Sequence, residues 1–573
     1  MRALFDPIRR PVSLNGEWFL CEDREENGLN FQKNIDETYR KVNVPSDISV
    51  CLPERPYACG VFWYKKRFFS ERFSEERRSI LHFEAVNHTA HVYVNGKYVG
   101  KNEQGYLPFE LDITDSLIQG GENELTVRVD TRRRQGQLPT SFYWKNYGGI
   151  LRDVWLYSTE KSYIEDAFVC AERNGRASFR VCTVNGEGAE LQLCISDRFG
   201  KNVLENRISV SEKESSLFTE IGNPMLWSPE EPNLYTAEIT LCVGETRIDR
   251  TVFEYGYRDI EARDGKLLLN GKEIFLKGFN RHEDHPKFGG AANEEVITSD
   301  LEMIKASGAN FIRMCHYPHD RRELELADRL GLCLLVEIPL CAYMGDTFGI
   351  DGCENKAQNE LVYANACECM RRMIIRDRNH PSVIIWSVSN ENNEPADNAV
   401  LDNHKGLIGL TKKLDPTRLA THVSTYSTHA DRDKFFVDDD VICFNAYPVQ
   451  FARVDLRNTE CPFEKSAEMI PNTVSAIRGL YPGKPIIITE FGYRTGVPMD
   501  SVDEELLQAK GVSAEFSAAA ACANGASVWV FADHRWPNDH RLLSDISRFG
   551  LLRQDRTKKA AFDVYCELLK KAP

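Results

Sequence analysis

Positive charge is in short supply in this sequence: 71 lysines and arginines stand against 86 aspartates and glutamates, a formal charge of -15 over 573 residues. That balance argues against nucleic acid as a partner and fits solubility. Long apolar runs are also missing. The opening "MRALFDPIRRPVSLNGEW" holds no apolar core of signal-peptide length. No later stretch approaches the roughly eighteen apolar residues of a membrane span, so a cytoplasmic chain without a membrane partner is expected. There is no glycine-rich phosphate loop. The 17 cysteines lack repeated metal-ligand spacing, and Cys367 with Cys369 forms only a lone C-x-C in a helical pattern. Reduced, mostly buried thiols are expected rather than disulfides or a zinc site.

What is present suits a soluble globular protein, with 42% hydrophobic and 27% charged residues. The length exceeds one ordinary core, so two to four domains are expected. Up to about residue 256 the chain reads as short alternating runs between turn signals, such as "ILHFEAV", "HVYVNGKYVG" with Asn95-Gly96 as a tight hairpin turn, and "NELTVRVD". "SFRVCTV", "ELQLCIS" and "LYTAEITLCV" continue the pattern, which predicts two β-sandwiches in tandem with a boundary near residue 160.

Beyond residue 260 strand-like and helix-like runs alternate. "IFLKGFN", "FIRMCHYP", "LCLLVEIPL", "SVIIWSVSNE", "LATHVS", "VICFNAYP", "PIIITEFGY" and "SVWVF" make eight strands with helical segments between them. Eight such units over this length predict a closed (β/α)8 barrel rather than an open doubly wound sheet. The connection "CAYMGDTFGIDGCENKAQN", residues 341–359, is long for a barrel loop, which fits either an aglycone-shaping segment or a lid.

In such a barrel the C-terminal strand ends converge on one mouth. The fourth strand ends in Asn390-Glu391 and the seventh carries Glu490, so two carboxyls distant in sequence face one pocket. Two facing carboxyls suit glycosidic bond hydrolysis: one protonates the leaving oxygen, and the other attacks the anomeric carbon. Burial and like charge would raise the acid's pKa while hydrogen bonds keep the nucleophile ionised. Asn390 is placed to bind a sugar hydroxyl, and Tyr447 to donate to Glu490. Several neighbours admit two readings. His316 either contacts the sugar or satisfies backbone groups; Trp529 is either core packing or an apolar sugar floor. His282, Glu283 and Asp284 in "RHED" are either a polar brace behind the nucleophile or a surface loop.

"WSVSNE", "ITEFGY", "GFNRHEDHP" and "RMCHYPHDRRELELADRLGL" resemble the motifs of glycoside hydrolase family 2, the β-galactosidase and β-glucuronidase family. The likeness extends over nearly the whole chain, through "GVFWYKKRF", "VYVNGKYVGKNEQGYLPFELDIT" and "LWSPEEPNLYTAEI". It implies a jelly-roll sugar-binding-like domain over 1–160, an immunoglobulin-like sandwich over 161–256 and a catalytic TIM barrel over 257–573. By the same likeness Glu391 is the acid/base and Glu490 the nucleophile of a retaining exo-β-glycosidase. Asn390, His316, Asn445, Tyr447, Trp529, His282, Asp284 and Arg548 are expected around the substrate. The resemblance further implies a small glycoside or oligosaccharide substrate, a homo-oligomer and no cofactor. No metal is expected, since the magnesium-binding stretch of the large β-galactosidases has no clear match after "LLVEIPL".

Glucuronidases of the family share an Asn-x-Lys motif after the eighth strand, where this chain has Ser547 and Phe549. The jelly-roll loop that ordinarily offers an aspartate reads "SFYWKNYGGI", with Tyr143 in its place. Arg535, Arg541 and Arg548 remain as cations that could pair with a carboxylate in another orientation. A β-hexuronidase favouring galacturonide over glucuronide is therefore expected, with a neutral β-galactosidase as the alternative. A non-catalytic carbohydrate-binding protein is the alternative of another class.

Overall fold

A computed structural model describes the chain apart from residues 1–5, 24–38, 73–76, 133, 135, 141–143, 292, 342–355, 393–397, 426–432, 451–462, 496–502 and 538–544. Tyr143, Arg541 and most of the 341–359 connection therefore lie outside the described residues.

The N-terminal portion pairs a six-stranded antiparallel sheet with a four-stranded one. The larger sheet includes Val61–Phe69, Thr89–Val94 and Glu122–Asp130. Inward-facing residues such as Phe62, Tyr64, Val92, Val127 and Leu156 form the core between the sheets. Asn95 and Gly96 take positive φ of 50° and 76°, which suits the predicted two-residue turn. A second sandwich follows, of three and four strands, with Phe179, Leu193, Ile239 and Tyr255 in its core.

Eight parallel strands then close into a barrel. In chain order they are β1 (Leu276–Arg281), β2 (Phe311–Met314), β3 (Cys333–Glu337), β4 (Val383–Asn390), β5 (Leu419–Ser424), β6 (Ile442–Asn445), β7 (Ile486–Phe491) and β8 (Gly525–Val528). The connecting helices start where the sequence supplies caps. The helix Glu294–Ala306 is capped by Asn293, and the helix Arg321–Leu330 is capped by Asp320 and ends at Gly331 with φ 69°.

Side-chain alternation along each strand sets up the site. Phe311, Leu335 and Ile385 belong to the apolar cluster inside the barrel. Two residues further along the same strands, on the same face, stand Arg313, Glu337 and Ser387. The inner face thus changes from apolar to polar one layer below the mouth. Ile312, Val336 and Trp386 alternate outward and pack under the helices.

The first sandwich is fastened to this mouth. Thr140 donates to the Cys341 carbonyl at 2.6 Å, and Arg152 pairs with Glu283 at 2.9 Å. Among the described residues no helix is long and apolar enough to cross a membrane.

Candidate active site

Arg313 is the hub of the mouth. It is fully buried and donates to Glu490 at 2.5 Å, Asn390 at 2.7 Å, Asn280 at 3.0 Å and both oxygens of Glu337 at 3.0 Å. A buried guanidinium needs such partners, because an uncompensated charge there is strongly unfavourable. Burial alone would raise Glu337, but Arg313 and His316 hold its carboxyl down at about 2. His316 Nδ1 lies 2.8 Å from Glu337, and its Nε2 lies 3.9 Å from Glu490.

Glu490 accepts from Arg313 on one oxygen and from the Tyr447 hydroxyl on the other at 2.5 Å. Both oxygens are therefore engaged as acceptors. Glu391 has a different environment. Its carboxyl accepts from the Asn445 amide at 2.8 Å. Burial, then the nearby charge of Glu490, push its carboxyl up to about 7. Two carboxyls of one mouth thus sit in unlike surroundings.

Aromatic rings line the mouth beside Glu490. Trp529 stacks on His316 with centroids 5.2 Å apart at 20°, and His282 meets Trp529 edge-on at 5.4 Å. Trp144, from the first sandwich, closes the rim 5.5 Å from His316. Phe549 lies 5.7 Å from Tyr447 in the same cluster, so a ring stands at this point of the wall.

Glu391, Glu490, Asn390, His316, Asn445 and Tyr447 are joined through Arg313 and Asn445, and Trp529 and His282 lie beside them. Two expected residues stand elsewhere. Asp284 has both carboxylate oxygens engaged, by the Tyr147 hydroxyl at 2.5 Å, the Arg535 amide at 3.0 Å and Gln554 at 2.7 Å. With donors from the first sandwich and from two barrel segments, it brackets the sandwich to the barrel. The Arg548 side chain is exposed, and what the fold uses is its carbonyl, bonded by Thr495 and Lys559. Arg313, Glu337 and Trp144 went unrecognised in the sequence. The signal for the first two was available, since a charge at an inward position of an apolar strand is rarely tolerated unpaired.

Among the described residues, three groups of donors come close enough to suggest a metal: His282, Cys315 and His316; His404, His422 and Asp439; and Glu283, His319 and Glu323. In the first, burial pushes the Cys315 thiol well up and it donates to the Arg281 carbonyl, which disfavours the thiolate a metal needs. The other two are already cross-linked internally by hydrogen bonds.

Two antiparallel sandwiches and a barrel with paired glutamates at its mouth define a multidomain carbohydrate-active architecture. Family models agree along the chain: "Glycosyl hydrolases family 2, sugar binding domain" over residues 3–160, "Glycosyl hydrolases family 2" over 162–258, and "Glycosyl hydrolases family 2, TIM barrel domain" over 260–572. The chain belongs to glycosyl hydrolases family 2. It is 29% identical over 485 residues to a β-glucuronidase of Streptococcus agalactiae, covering 78% of this chain and 77% of that one. It is 32% identical over 384 residues to a β-galactosidase of Thermoanaerobacter pseudethanolicus, covering 62% of this chain. The chain spans about half the length of several curated relatives it matches, 48% in the Thermoanaerobacter case. The solved structure of a β-D-glucuronidase from Dictyoglomus thermophilum superposes with a TM-score of 0.86 at 28% identity, covering 99% of this chain and 98% of that one.

Proposed function

We propose that this protein is a retaining exo-β-glycosidase acting on β-hexuronides, with galacturonide preferred to glucuronide. The observation that carries the reading is the unequal treatment of the two glutamates: Glu391 is pushed up to about 7, while Arg313 and Tyr447 hydrogen-bond Glu490. In the first step Glu490 attacks the anomeric carbon as Glu391 passes its proton to the departing oxygen. In the second, Glu391 takes a proton from water, which displaces Glu490, so two inversions give net retention. Retained paired carboxyls in distinct environments favour an enzyme over a non-catalytic binding protein.

The uronide class is supported by the full-length likeness to a β-glucuronidase structure. Preference for the C4 epimer rests on the wall at Ser547 and Phe549, which departs from the family's glucuronidase pattern and offers no cation at those two positions to hold a carboxylate in the glucuronidase manner. That wall, with the Thermoanaerobacter relative, also favours a second reading, a neutral β-galactosidase. The family-model ranges, which end at 160 and 258, support dividing the chain at 160 and close to 256. Aryl β-galacturonide, β-glucuronide and β-galactoside assayed side by side test the specificity. Turnover of galacturonide above the other two is expected, and cleavage of the neutral sugar alone would overturn the uronide reading.

A further inference from the structure

Glu391 follows β4 with a φ of 51°, in the left-handed region that side chains bearing a Cβ seldom enter. Its neighbours must impose that conformation. The Glu391 amide donates to the carbonyl of Val423 on β5 at 2.7 Å, whereas the Asn390 amide donates the other way, to Leu340 beyond β3, at 2.9 Å. Alternate amides of an interior strand donate to opposite neighbours, so the β5 side of the ladder carries on to Glu391, just past a register shift between Ser387 and Asn390.

Val423 packs inside the barrel, so His422 and Ser424 on either side of it face outward. Both reach one carboxylate oxygen: His422 Nε2 lies 3.0 Å, and Ser424 Oγ 2.6 Å, from Asp433 Oδ2. His422 Nδ1 lies 2.6 Å from Asp439, whose other oxygen lies 3.1 Å from His404 Nε2. Burial opposes charging His422, yet Asp439 and Asp433 hold it up at about 10. The turn bearing these aspartates is clamped in turn, by Tyr481 on the Asp433 carbonyl at 3.3 Å and Lys484 on the Asp439 carbonyl at 2.5 Å. His404 also lines a cavity of about 20 Å³ together with Ser389 and Asn392, which flank the Asn390–Glu391 step. That volume has room for one water.

We propose that His422, with Asp433, Asp439 and His404, is a positioning cluster that fixes the Glu391 carboxyl through the carbonyl of Val423. None of the four touches substrate, and the inference rests on the reading of Glu391 as the acid/base. Loosening the cluster releases the Val423 carbonyl and lets Glu391 relax out of its left-handed conformation. Proton donation then suffers, while nucleophilic attack by Glu490 does not.

The test compares full-length wild type, His422→Gln, Ser424→Ala and Glu391→Gln on phenyl and dinitrophenyl glycosides of whichever sugar the enzyme cleaves. For His422→Gln, kcat on the phenyl substrate should fall about tenfold or more and on the dinitrophenyl substrate less than about threefold, with KM little changed. The basic limb of its pH profile should move, the other charged groups facing Glu391, namely Glu490, Arg313 and Glu337, being untouched. Ser424→Ala removes one bond only and should give a smaller selective loss, which keeps the test decisive if His422→Gln does not fold. Equal losses on the two substrates, or none, in folded variants while Glu391→Gln does discriminate would overturn the positioning cluster alone. If Glu391→Gln fails to discriminate, the acid/base reading itself falls and the cluster with it.

Discussion

Asn445 donates its amide N–H to Glu391 at 2.8 Å from the β6 position whose partner across the ladder is Glu490. One residue thus touches the proposed acid with its side chain and neighbours the proposed nucleophile through its backbone. The two carboxyls are therefore registered against each other by sheet geometry rather than by a loop, which is the rigidity a two-carboxylate mechanism requires.

Glu490→Gln should lower kcat by about ten-thousand-fold or more, because an amide cannot form the glycosyl ester. An unchanged circular dichroism spectrum and melting temperature would show the fold intact. Activity near wild type would contradict the nucleophile assignment.

Proton donation gives a pH dependence with a definite sign. Glu391, pushed up to about 7, is the protonated acid below that pH, so kcat/KM should fall as pH rises through about 7. The same shift bears on stability. A carboxyl raised above its unfolded value leaves the fold relatively more stable at low pH, and that advantage is lost as pH climbs from about 4.5 to about 7. Glu391→Gln should therefore melt higher than wild type at pH 8 and alike at pH 4, as read by calorimetry.

Much of this was legible beforehand, for identifiable reasons. Strand alternation and the helical runs between strands are local signals, and they placed all eight barrel strands in order. The two glutamates were visible because each ends an apolar strand. Arg313 and Glu337 were missed although each puts a charge on an apolar strand, because what that charge does depends on Asn280, Asn390 and Glu490 from other strands. Asp284 is a different case. Its motif lies in a family stretch, but its partners Tyr147 and Gln554 come from opposite ends of the chain and no local pattern announces them.

Arg313→Lys should be far from conservative. An ammonium cannot reproduce the fork that reaches Glu490, Glu337, Asn280 and Asn390 together. Leaving part of this buried network unpaired should destabilise the barrel by about 3 kcal/mol and abolish measurable activity. Urea unfolding followed by fluorescence reads the first effect. A variant as stable and active as wild type would remove Arg313 from its central place.

Tyr447→Phe removes the donor on one oxygen of Glu490 while keeping the ring against Phe549. A loss of about a hundredfold in kcat is expected, with KM less affected, as for other preorganised donors to a reacting oxygen. Steady-state kinetics on an aryl glycoside decide this.

Substrate choice should respond to the wall after β8. The double change Ser547→Asn with Phe549→Lys rebuilds the family's Asn-x-Lys pattern and should raise β-glucuronide turnover relative to β-galacturonide. A ratio unmoved by the pair would separate that wall from sugar selection.

The most direct measurement is mass spectrometry of the enzyme after reaction with a 2-deoxy-2-fluoro glycosyl fluoride of its preferred sugar, which slows breakdown of the covalent intermediate. A glycosyl ester on Glu490, in the "ITEFGY" segment, is the predicted result. Turnover of that reagent with no adduct, or an adduct on another carboxylate, would contradict a mechanism in which Glu490 attacks while Glu391 supplies the proton.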